Sequence, residues 1–205
     1  MFGLPYYQSK IDSQSYDKNN IIDDILYNYN LDKNRNVWRP NSNLHHVFND
    51  ENNTKFKKIN YGSLENIYKF HVRNFLISSL KKDLDFELKI VNYTCMLSDQ
   101  YMELHHHNGD FAGIHYLKFN KNEHKSTLYK NPYAWGTFLN ELTANSFVSS
   151  IEMSNEKFSY LFDEWSLNVE EDDFVLTPAL LPHLVPLCKS NDHRISIISY
   201  IKIKK

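Results

Sequence analysis

Two stretches in the first third of the chain carry apolar residues at helical spacing. In residues 19–31 the apolar side chains stand at 21, 22, 25, 26 and 29, the spacing of one face of an α-helix. The second stretch begins near Ser63 and has apolar positions at 64, 67, 68, 70, 72, 75, 76, 77 and 80. These patterns predict two amphipathic helices, the second of them long.

From about residue 86 the pattern changes to short β-prone runs separated by turn sequences such as NGD, NKNEH, EED and SND. A further short strand is expected within 43–50. The runs of the second part are 86–97, 111–119, 126–130, 145–153, 158–162, 164–169, 172–178, 183–188 and 194–204.

Many short strands with no helical intervals indicate a sandwich or a closed jelly roll. The fold class expected is therefore mainly β with flanking α. A double-stranded β-helix core of the jelly-roll or cupin type would carry an N-terminal helical extension packed on it. The length of 205 residues suits a single domain, with 1–85 as a helical and loop support region and 86–205 as the core.

Composition narrows the class of protein further. Apolar residues make up 41% of the chain and aromatic residues 15%, which is ample for a packed core. The net charge of −2 gives no indication of nucleic-acid or membrane binding. Two cysteines without a CxxC motif, no secretory leader and no apolar run long enough for a bilayer lead us to expect a cytoplasmic protein with reduced thiols.

Three consecutive histidines, His105, His106 and His107, form the most conspicuous chemical feature of the sequence. On a strand, residues two apart point to the same side, so His105 and His107 can share a metal ion while His106 points away. A distant residue must then complete a facial triad of metal ligands, and His183 in TPALLPHLVP is a candidate. A polar strand end with a buried structural His183 is the alternative.

Two acidic residues near this cluster leave the ligand set open. Non-haem iron sites usually combine two histidines with one carboxylate. Asp110 follows Asn108-Gly109, just beyond the expected strand, and Glu103 is in register with His105 and His107. Asp110 is therefore an alternative third ligand.

The other histidines are expected to be structural or solvated. His45 and His46 are adjacent, so on a strand they point to opposite faces, and a structural role is favoured over metal binding. His71 lies within the long helical pattern. His124 and His193 lie in polar turns and are expected at the surface.

The last run of the chain, HRISIISYIKIK, alternates cleanly. Arg194, Ser196, Ile198 and Tyr200 fall on one face, and the intervening residues fall on the other. An arginine that opens a strand, with a hydroxyl two residues later, suits a carboxylate, since arginine offers a two-pronged donor and serine one further hydrogen bond.

The segment VEEDDFVLTPALLPHLVPLCKSNDHRISIISYIKI resembles the end of the Fe(II)/2-oxoglutarate-dependent oxygenases, where a distal metal histidine precedes a strand with Arg-x-Ser. FAGIHYLKF is similar to the strand after the first metal motif in that family. ELHHHNGD resembles the His-x-His version of a subfamily common in bacterial and phage genomes. The resemblance covers roughly residues 89–205 and is most specific in the last forty.

This resemblance implies a function and a set of site residues. His105, His107 and His183 would bind Fe(II), and Arg194, Ser196 and Tyr116 would bind the C5 carboxylate of 2-oxoglutarate. The chain would use O2 to hydroxylate an unactivated C–H bond, with release of succinate and CO2. The partner expected is a small-molecule or peptide substrate. The oligomeric state and the identity of the substrate are not readable from the sequence.

Two other readings remain at this point. A cupin-type metalloenzyme that does not use 2-oxoglutarate shares the jelly roll and the three histidines but has no need of Arg194 and Ser196. A non-catalytic jelly-roll binding module would carry the histidines as incidental polar residues.

Overall fold

The computed structural model describes residues 3–36, 41–50, 55–132 and 162–204. Two helices and ten strands lie in these residues. In chain order they are β1 (Tyr7–Lys10), α1 (Lys18–Leu31), β2 (His45–Phe48), α2 (Leu64–Leu80), β3 (Phe86–Met96), β4 (Met102–His105), β5 (Phe111–Lys118), β6 (Leu128–Lys130), β7 (Glu164–Ser166), β8 (Asp173–Pro178), β9 (His183–Val185) and β10 (Arg194–Ile203).

The strands form two antiparallel sheets that enclose a cavity between them. The larger sheet has the order β1-β8-β5-β10-β3-β2, and the smaller has the order β4-β9-β6-β7. Side chains from β3, β5 and β10 of the larger sheet and from β4 and β9 of the smaller sheet line the same cavity. This arrangement confirms the predicted jelly-roll core with flanking helices.

The two predicted helices cover the outer face of the larger sheet. Ile21, Ile25 and Tyr29 of α1 and the apolar face of α2 pack with strand residues of β3, β5, β8 and β10 in one buried cluster. Burial of this apolar face, rather than capping, holds α2 in place. Ser63 makes no capping bond, because its hydroxyl donates to the carbonyl of Ser15.

The strand predictions from residue 86 onward are confirmed except for 145–153 and 158–162, although several strands are shorter than the β-prone runs. The predicted strand 145–153 and residues 158–161 of the next run lie outside the described residues. The expected strand within 43–50 is β2. None of the helices in the described parts of the chain is long and apolar enough to cross a bilayer.

One strand was missed by the sequence analysis. β1, with the sequence YQSK, pairs with β8 at one edge of the larger sheet, while β2 pairs with β3 at the other edge. The N-terminal region therefore extends the sheet at both edges besides covering it with helices. Polar β1 carries no periodic signal of its own, and only its partner strand makes it extended.

Strand β10 lies inside the larger sheet, with one face on the helix-side hydrophobic core and the other on the cavity. It pairs with β3 on one side and with β5 on the other. Ile195, Ile197 and Ile201 belong to the helix-side core, whereas Arg194, Ser196 and Ile198 line the cavity. The alternation read from the sequence thus separates the hydrophobic core from the cavity.

A buried ionic network joins the N-terminal region to the sheet. Lys18 Nζ lies 2.7 Å from Asp172 Oδ2, and the Tyr16 hydroxyl donates to Asp172 Oδ1 at 2.8 Å. His115 Nε2 is 3.7 Å from the same carboxylate. Burial alone would raise the pKa of Asp172, but the nearby His115 ring and the hydrogen bonds from Lys18 and Tyr16 lower it from 3.8 to about 2.

We expect Asp172→Asn to lower the free energy of unfolding at pH 7 by about 2–3 kcal/mol, because it removes the more buried of the two carboxylates that pair with Lys18, the other being that of Glu171. The lowered pKa means that the carboxylate stabilises the fold fully above its unfolded-state pKa, and that this contribution disappears as the pH falls from about 4 towards 2. Urea unfolding of both forms at several pH values measures the difference.

The matched control is Asp83→Asn, whose carboxylate pairs with Arg73 at the surface, where both side chains are more than half exposed. Its effect should not exceed about 0.5 kcal/mol. Equal effects of the two substitutions would contradict a special role for the buried network.

Candidate metal centre

Three buried histidines meet where the short strands of the smaller sheet end. His105 is the last residue of β4 and is the register partner of His183, the first residue of β9. His107 follows two residues after β4, where its backbone N–H donates to the carbonyl of Ala179 at 2.8 Å. Each histidine is at most 4% exposed, and one ligand nitrogen from each lies within 4.8 Å of the others.

His106 is exposed, so the alternation expected of the cluster is present in the structure. This alternation of side chains continues past the end of β4, because the hydrogen bond from the His107 backbone to Ala179 keeps the chain extended there. The three histidines predicted as metal ligands, His105, His107 and His183, therefore converge. Their role as metal ligands remains a prediction.

Hydrogen bonds at Nδ1 fix the orientation of each ring. His105 Nδ1 donates to the Glu103 carbonyl and His183 Nδ1 donates to the Leu181 carbonyl, both at 2.8 Å. Because a carbonyl only accepts, these two rings carry their proton on Nδ1 and keep a lone pair on Nε2. His107 Nδ1 lies 3.1 Å from the hydroxyl of Tyr200, which can donate or accept.

The distance between Nε2 of His183 and Nε2 of His107 is 3.1 Å. This spacing suits a hydrogen bond from His107 to His183. It also suits two ligands of one ion, because an octahedral metal with bonds of about 2.1 Å holds adjacent nitrogens about 3.0 Å apart. A shift of the His107 proton to Nδ1, where Tyr200 can accept it, would free the third lone pair.

Burial keeps the rings of His183 and His107 neutral. It lowers the pKa of His183 to about 3, with a smaller effect from the charge of His105, and it lowers the pKa of His107 well below its ordinary value. Neutral imidazoles with aligned lone pairs are the form that binds divalent metal ions. The donor set therefore fits a metal ion.

The acidic alternatives lie elsewhere. Asp110 is exposed, and its Oδ2 accepts a hydrogen bond from the backbone N–H of Ile203 at 2.7 Å. Glu103 contributes its backbone carbonyl to His105. None of the described residues that line the cavity is an aspartate or a glutamate. The structure thus brings together the all-histidine set rather than the set with Asp110.

A buried arginine stands at the other end of the same cavity. Arg194 is 1% exposed, its Nη1 donates to Ser196 Oγ at 3.1 Å, and its Nε donates to the Lys125 carbonyl at 3.2 Å. Its Nη2 is buried with no hydrogen-bond partner among the described residues. A buried cationic donor without a partner favours an anionic ligand, and the fork of the guanidinium matches a carboxylate.

Tyr116 lies beside this arginine, but its hydroxyl is hydrogen-bonded to Thr127. The Arg194 guanidinium sits 5.3 Å from the centre of the Tyr116 ring, and the Tyr116 hydroxyl donates to Thr127 Oγ1 at 2.9 Å. Thr127 itself lines the cavity. The contact of Tyr116 with a bound carboxylate stays a prediction, while Thr127 is a cavity residue that the sequence analysis missed.

The surface position predicted for His124 is wrong. His124 is 4% exposed, its Nδ1 accepts from the backbone of Asn120 at 3.0 Å, and its Nε2 donates to the carbonyl of Asp192 at 3.0 Å. It joins the loop after β5 to the loop before β10, next to the Lys125 carbonyl that holds Arg194. The polar sequence around it gave no sign of this burial, which arises from contact between the two loops.

The side chains of His45 and His46 point to opposite faces of β2, as predicted. His45 Nδ1 donates to the carbonyl of Asp32 on the helix side, whereas His46 lines the cavity. Asn92 and Thr94 of β3 line the cavity too, and they face Ile198 and Ser196 in the register of β10. The alternation of β3 contained this signal, but the sequence alone does not tell which face of the strand is the inner one.

Comparison with known proteins gives one family match. Residues 93–199 match the sequence model of a family described as "Putative 2OG-Fe(II) oxygenase". No curated protein matches the sequence.

Solved structures resemble the whole chain at low identity. A prolyl-4-hydroxylase from Pseudomonas putida is 9% identical, with 99% of this chain and 95% of that chain covered and a TM-score of 0.55. The viral collagen prolyl hydroxylase vCPH from Paramecium Bursaria Chlorella virus-1 is 11% identical, with coverages of 99% and 98% and a TM-score of 0.53. The carbocyclase SnoK from nogalamycin biosynthesis is 10% identical, with coverages of 98% and 80% and a TM-score of 0.58. At such identities the likeness shows a shared fold.

We expect His105→Ala, His107→Ala and His183→Ala each to weaken binding of Zn(II) or Co(II) by at least about 100-fold, because each removes one converging nitrogen. Calorimetry with Zn(II) and the visible spectrum of the Co(II) form measure the loss. His106→Ala and Asp110→Asn are the controls and should bind metal as the parent does. Loss of metal in either control, with retention in a triad variant, would refute this ligand set.

Tyr200→Phe should weaken metal binding by about tenfold, because it removes the hydroxyl that can accept the Nδ1 proton of His107. The same calorimetric titration gives the change. Tyr101→Phe is a matched control, since the Tyr101 hydroxyl donates to the carbonyl of Asn41 at the surface. An unchanged metal affinity in Tyr200→Phe would show that the hydroxyl does not support His107.

Proposed function

The family match spans more than half of the chain, so the chain belongs to the 2OG-Fe(II) oxygenase family, and we propose that it is a hydroxylase of this family acting on a small-molecule or peptide substrate. One observation carries the proposal. A cavity that closes around three converging imidazoles at one end holds, at the other end, a buried arginine with an unpaired donor.

His105, His107 and His183 would hold Fe(II). Imidazole nitrogen is a suitable donor for this ion, and a facial set of three protein ligands leaves positions open for other molecules. Three neutral rings place no negative charge beside the metal. The dianion 2-oxoglutarate would therefore contribute the compensating charge, and retention of Fe(II) should depend on it more than in a site with a carboxylate ligand.

Arg194 would hold the C5 carboxylate of 2-oxoglutarate. Its unpaired Nη2 supplies a charge-assisted donor, and Nη1 is already oriented by Ser196. The bond from Nε to Lys125 fixes the plane of the guanidinium. The Tyr116 ring lies 5.3 Å from the guanidinium, and its hydroxyl, now on Thr127, would join this carboxylate site, as the family resemblance implies.

When bound, Fe(II) and 2-oxoglutarate supply the oxidising chemistry, in which O2 and 2-oxoglutarate become succinate and CO2 and one oxygen atom enters a C–H bond of the substrate. The residues of the chain position these molecules and exclude water. Ile114, Val185 and Ile198 form the apolar part of the cavity wall between the two ends. Such a wall limits loss of the oxidant to solvent.

Hydroxylation is favoured by the neighbours named as prolyl hydroxylases. The neighbour named as a carbocyclase shows that this fold also serves other outcomes, so product analysis should detect cyclised compounds as well. A metalloenzyme that does not use 2-oxoglutarate gives no reason for the buried Nη2 of Arg194 to lack a hydrogen-bond partner, and we therefore place that alternative second.

Anaerobic titration with Fe(II) and 2-oxoglutarate should produce a weak visible charge-transfer band, and addition of air with a substrate panel should release succinate. Arg194→Met should lower the affinity for 2-oxoglutarate by about 100-fold, since it removes a charge-assisted, two-pronged contact while keeping an unbranched side chain. Spectral titration measures the affinity.

Arg73→Met is the matched control, because Arg73 is exposed and pairs only with Asp83 among the described residues. It should leave both the band and the affinity unchanged. A parent protein that binds metal but shows neither the band nor succinate would favour a metalloenzyme without 2-oxoglutarate. A parent protein that binds no metal would favour a binding module.

A further inference from the structure

A polar pair on the cavity wall has no role in the function proposed above. Asn92 of β3 and His46 of β2 are 2% and 0% exposed, and both line the cavity. Asn92 Nδ2 lies 2.7 Å from His46 Nε2. Because an amide nitrogen only donates, His46 Nε2 accepts this bond and the ring carries its proton on Nδ1.

In this orientation the bond to His46 occupies the Asn92 amide nitrogen, and the amide oxygen does not take part in it. Asn92 Oδ1 is buried and has no hydrogen-bond partner among the described residues. Buried polar atoms are nearly always paired in folded proteins, and an exception in a cavity favours a ligand that completes the pairing. The missing partner must be a donor, since a carbonyl oxygen accepts only.

The position of Asn92 places it at the metal end of the cavity. In the register of β3 and β10, Arg194 faces Met96, Ser196 faces Thr94, and Ile198 faces Asn92. Along β3, Asn92 is four residues from Met96, the residue opposite Arg194. At 3.3 Å per residue this separation is roughly 13 Å. Tyr200, which contacts His107, is only two residues beyond Ile198.

2-Oxoglutarate cannot satisfy this oxygen. As a dianion it offers carboxylate and keto oxygens, which accept and do not donate. Of the two organic ligands of the proposed reaction, the second substrate is therefore the one that can supply the donor, at the place where its C–H bond would meet the metal. A cationic donor is disfavoured, because the described lining residues include Arg194 and no carboxylate.

We propose that Asn92, oriented by His46, is a specificity residue that accepts a hydrogen bond from an uncharged N–H or O–H group of the substrate. The substrate class is then an amide or an alcohol rather than a hydrocarbon, a carboxylate or an amine cation. This inference rests on the proposed function for the identity of the other ligand in the cavity.

Acetamide and N,N-dimethylacetamide are suitable probes, because they share a carbonyl but only acetamide has N–H donors. Each is titrated by NMR into the Zn(II)-loaded protein, with and without 2-oxoglutarate. The parent protein should bind acetamide about fivefold or more tightly than the dimethyl compound. Equal binding of the two probes by the parent protein would overturn the proposal, and this comparison needs no variant.

Asn92→Leu has a similar volume and no acceptor. It should lower the affinity for acetamide to that of the dimethyl compound and leave the affinity for 2-oxoglutarate within about twofold. Asn66→Leu, at an exposed position of α2, is the control and should change neither. If Asn92→Leu weakens 2-oxoglutarate as Arg194→Met does, the amide serves 2-oxoglutarate and the proposal is wrong.

The two hypotheses fail in different ways. Failure of the parent protein to bind 2-oxoglutarate would count against the proposed function, while the titration with Zn(II) alone still tests the acceptor at Asn92. Normal 2-oxoglutarate binding without selectivity between the two probes would count against Asn92 alone.

Discussion

The candidate metal centre depends on one constraint. Each buried imidazole must hydrogen-bond to the protein through one ring nitrogen so that the other nitrogen can point to a shared position. His105 and His183 meet it in the same way, each with Nδ1 on the carbonyl two residues earlier in the chain. His107 uses the hydroxyl of Tyr200. The pairing of β4 with β9 and the placement of β10 therefore determine the orientation of all three imidazole rings.

Strand β10 connects this centre to the rest of the molecule. Its outward isoleucines are held by the helix-side core, and its inward residues run from Arg194 at one end of the cavity to Tyr200 beside His107. A shift of this strand by one residue would exchange the two sets. The apolar packing of the helices thus fixes the positions of polar groups that the helices never touch.

The cavity carries polar groups that the fold alone leaves unpaired, and this is why it reads as a binding site. Arg194 Nη2 is a donor without a partner at one end, and Asn92 Oδ1 is an acceptor without a partner at the other. Their opposite character matches two ligands, one anionic and one with a donor. Ligands that complete these pairs bind only the folded protein and so stabilise it.

Local patterns in the sequence were sufficient for both helices, for most of the strands and for the chemistry of single strands. The spacing of apolar residues predicted α1 and α2. The alternation of β10 placed Arg194 and Ser196 on the same face of the strand, and the same rule separated His106 from its neighbours. These features depend on residues only a few positions apart. The fold and the converging histidines followed once the strands and the family resemblance were considered together.

Only the tertiary structure decided which distant residues share a space. It buried His124 between two loops, turned His46 and Asn92 into the cavity, made a strand of polar β1, and moved Asp110 to the surface on the backbone of Ile203. The physical reason is that periodicity along a chain is a local property, whereas register and burial arise from pairings between strands far apart in sequence.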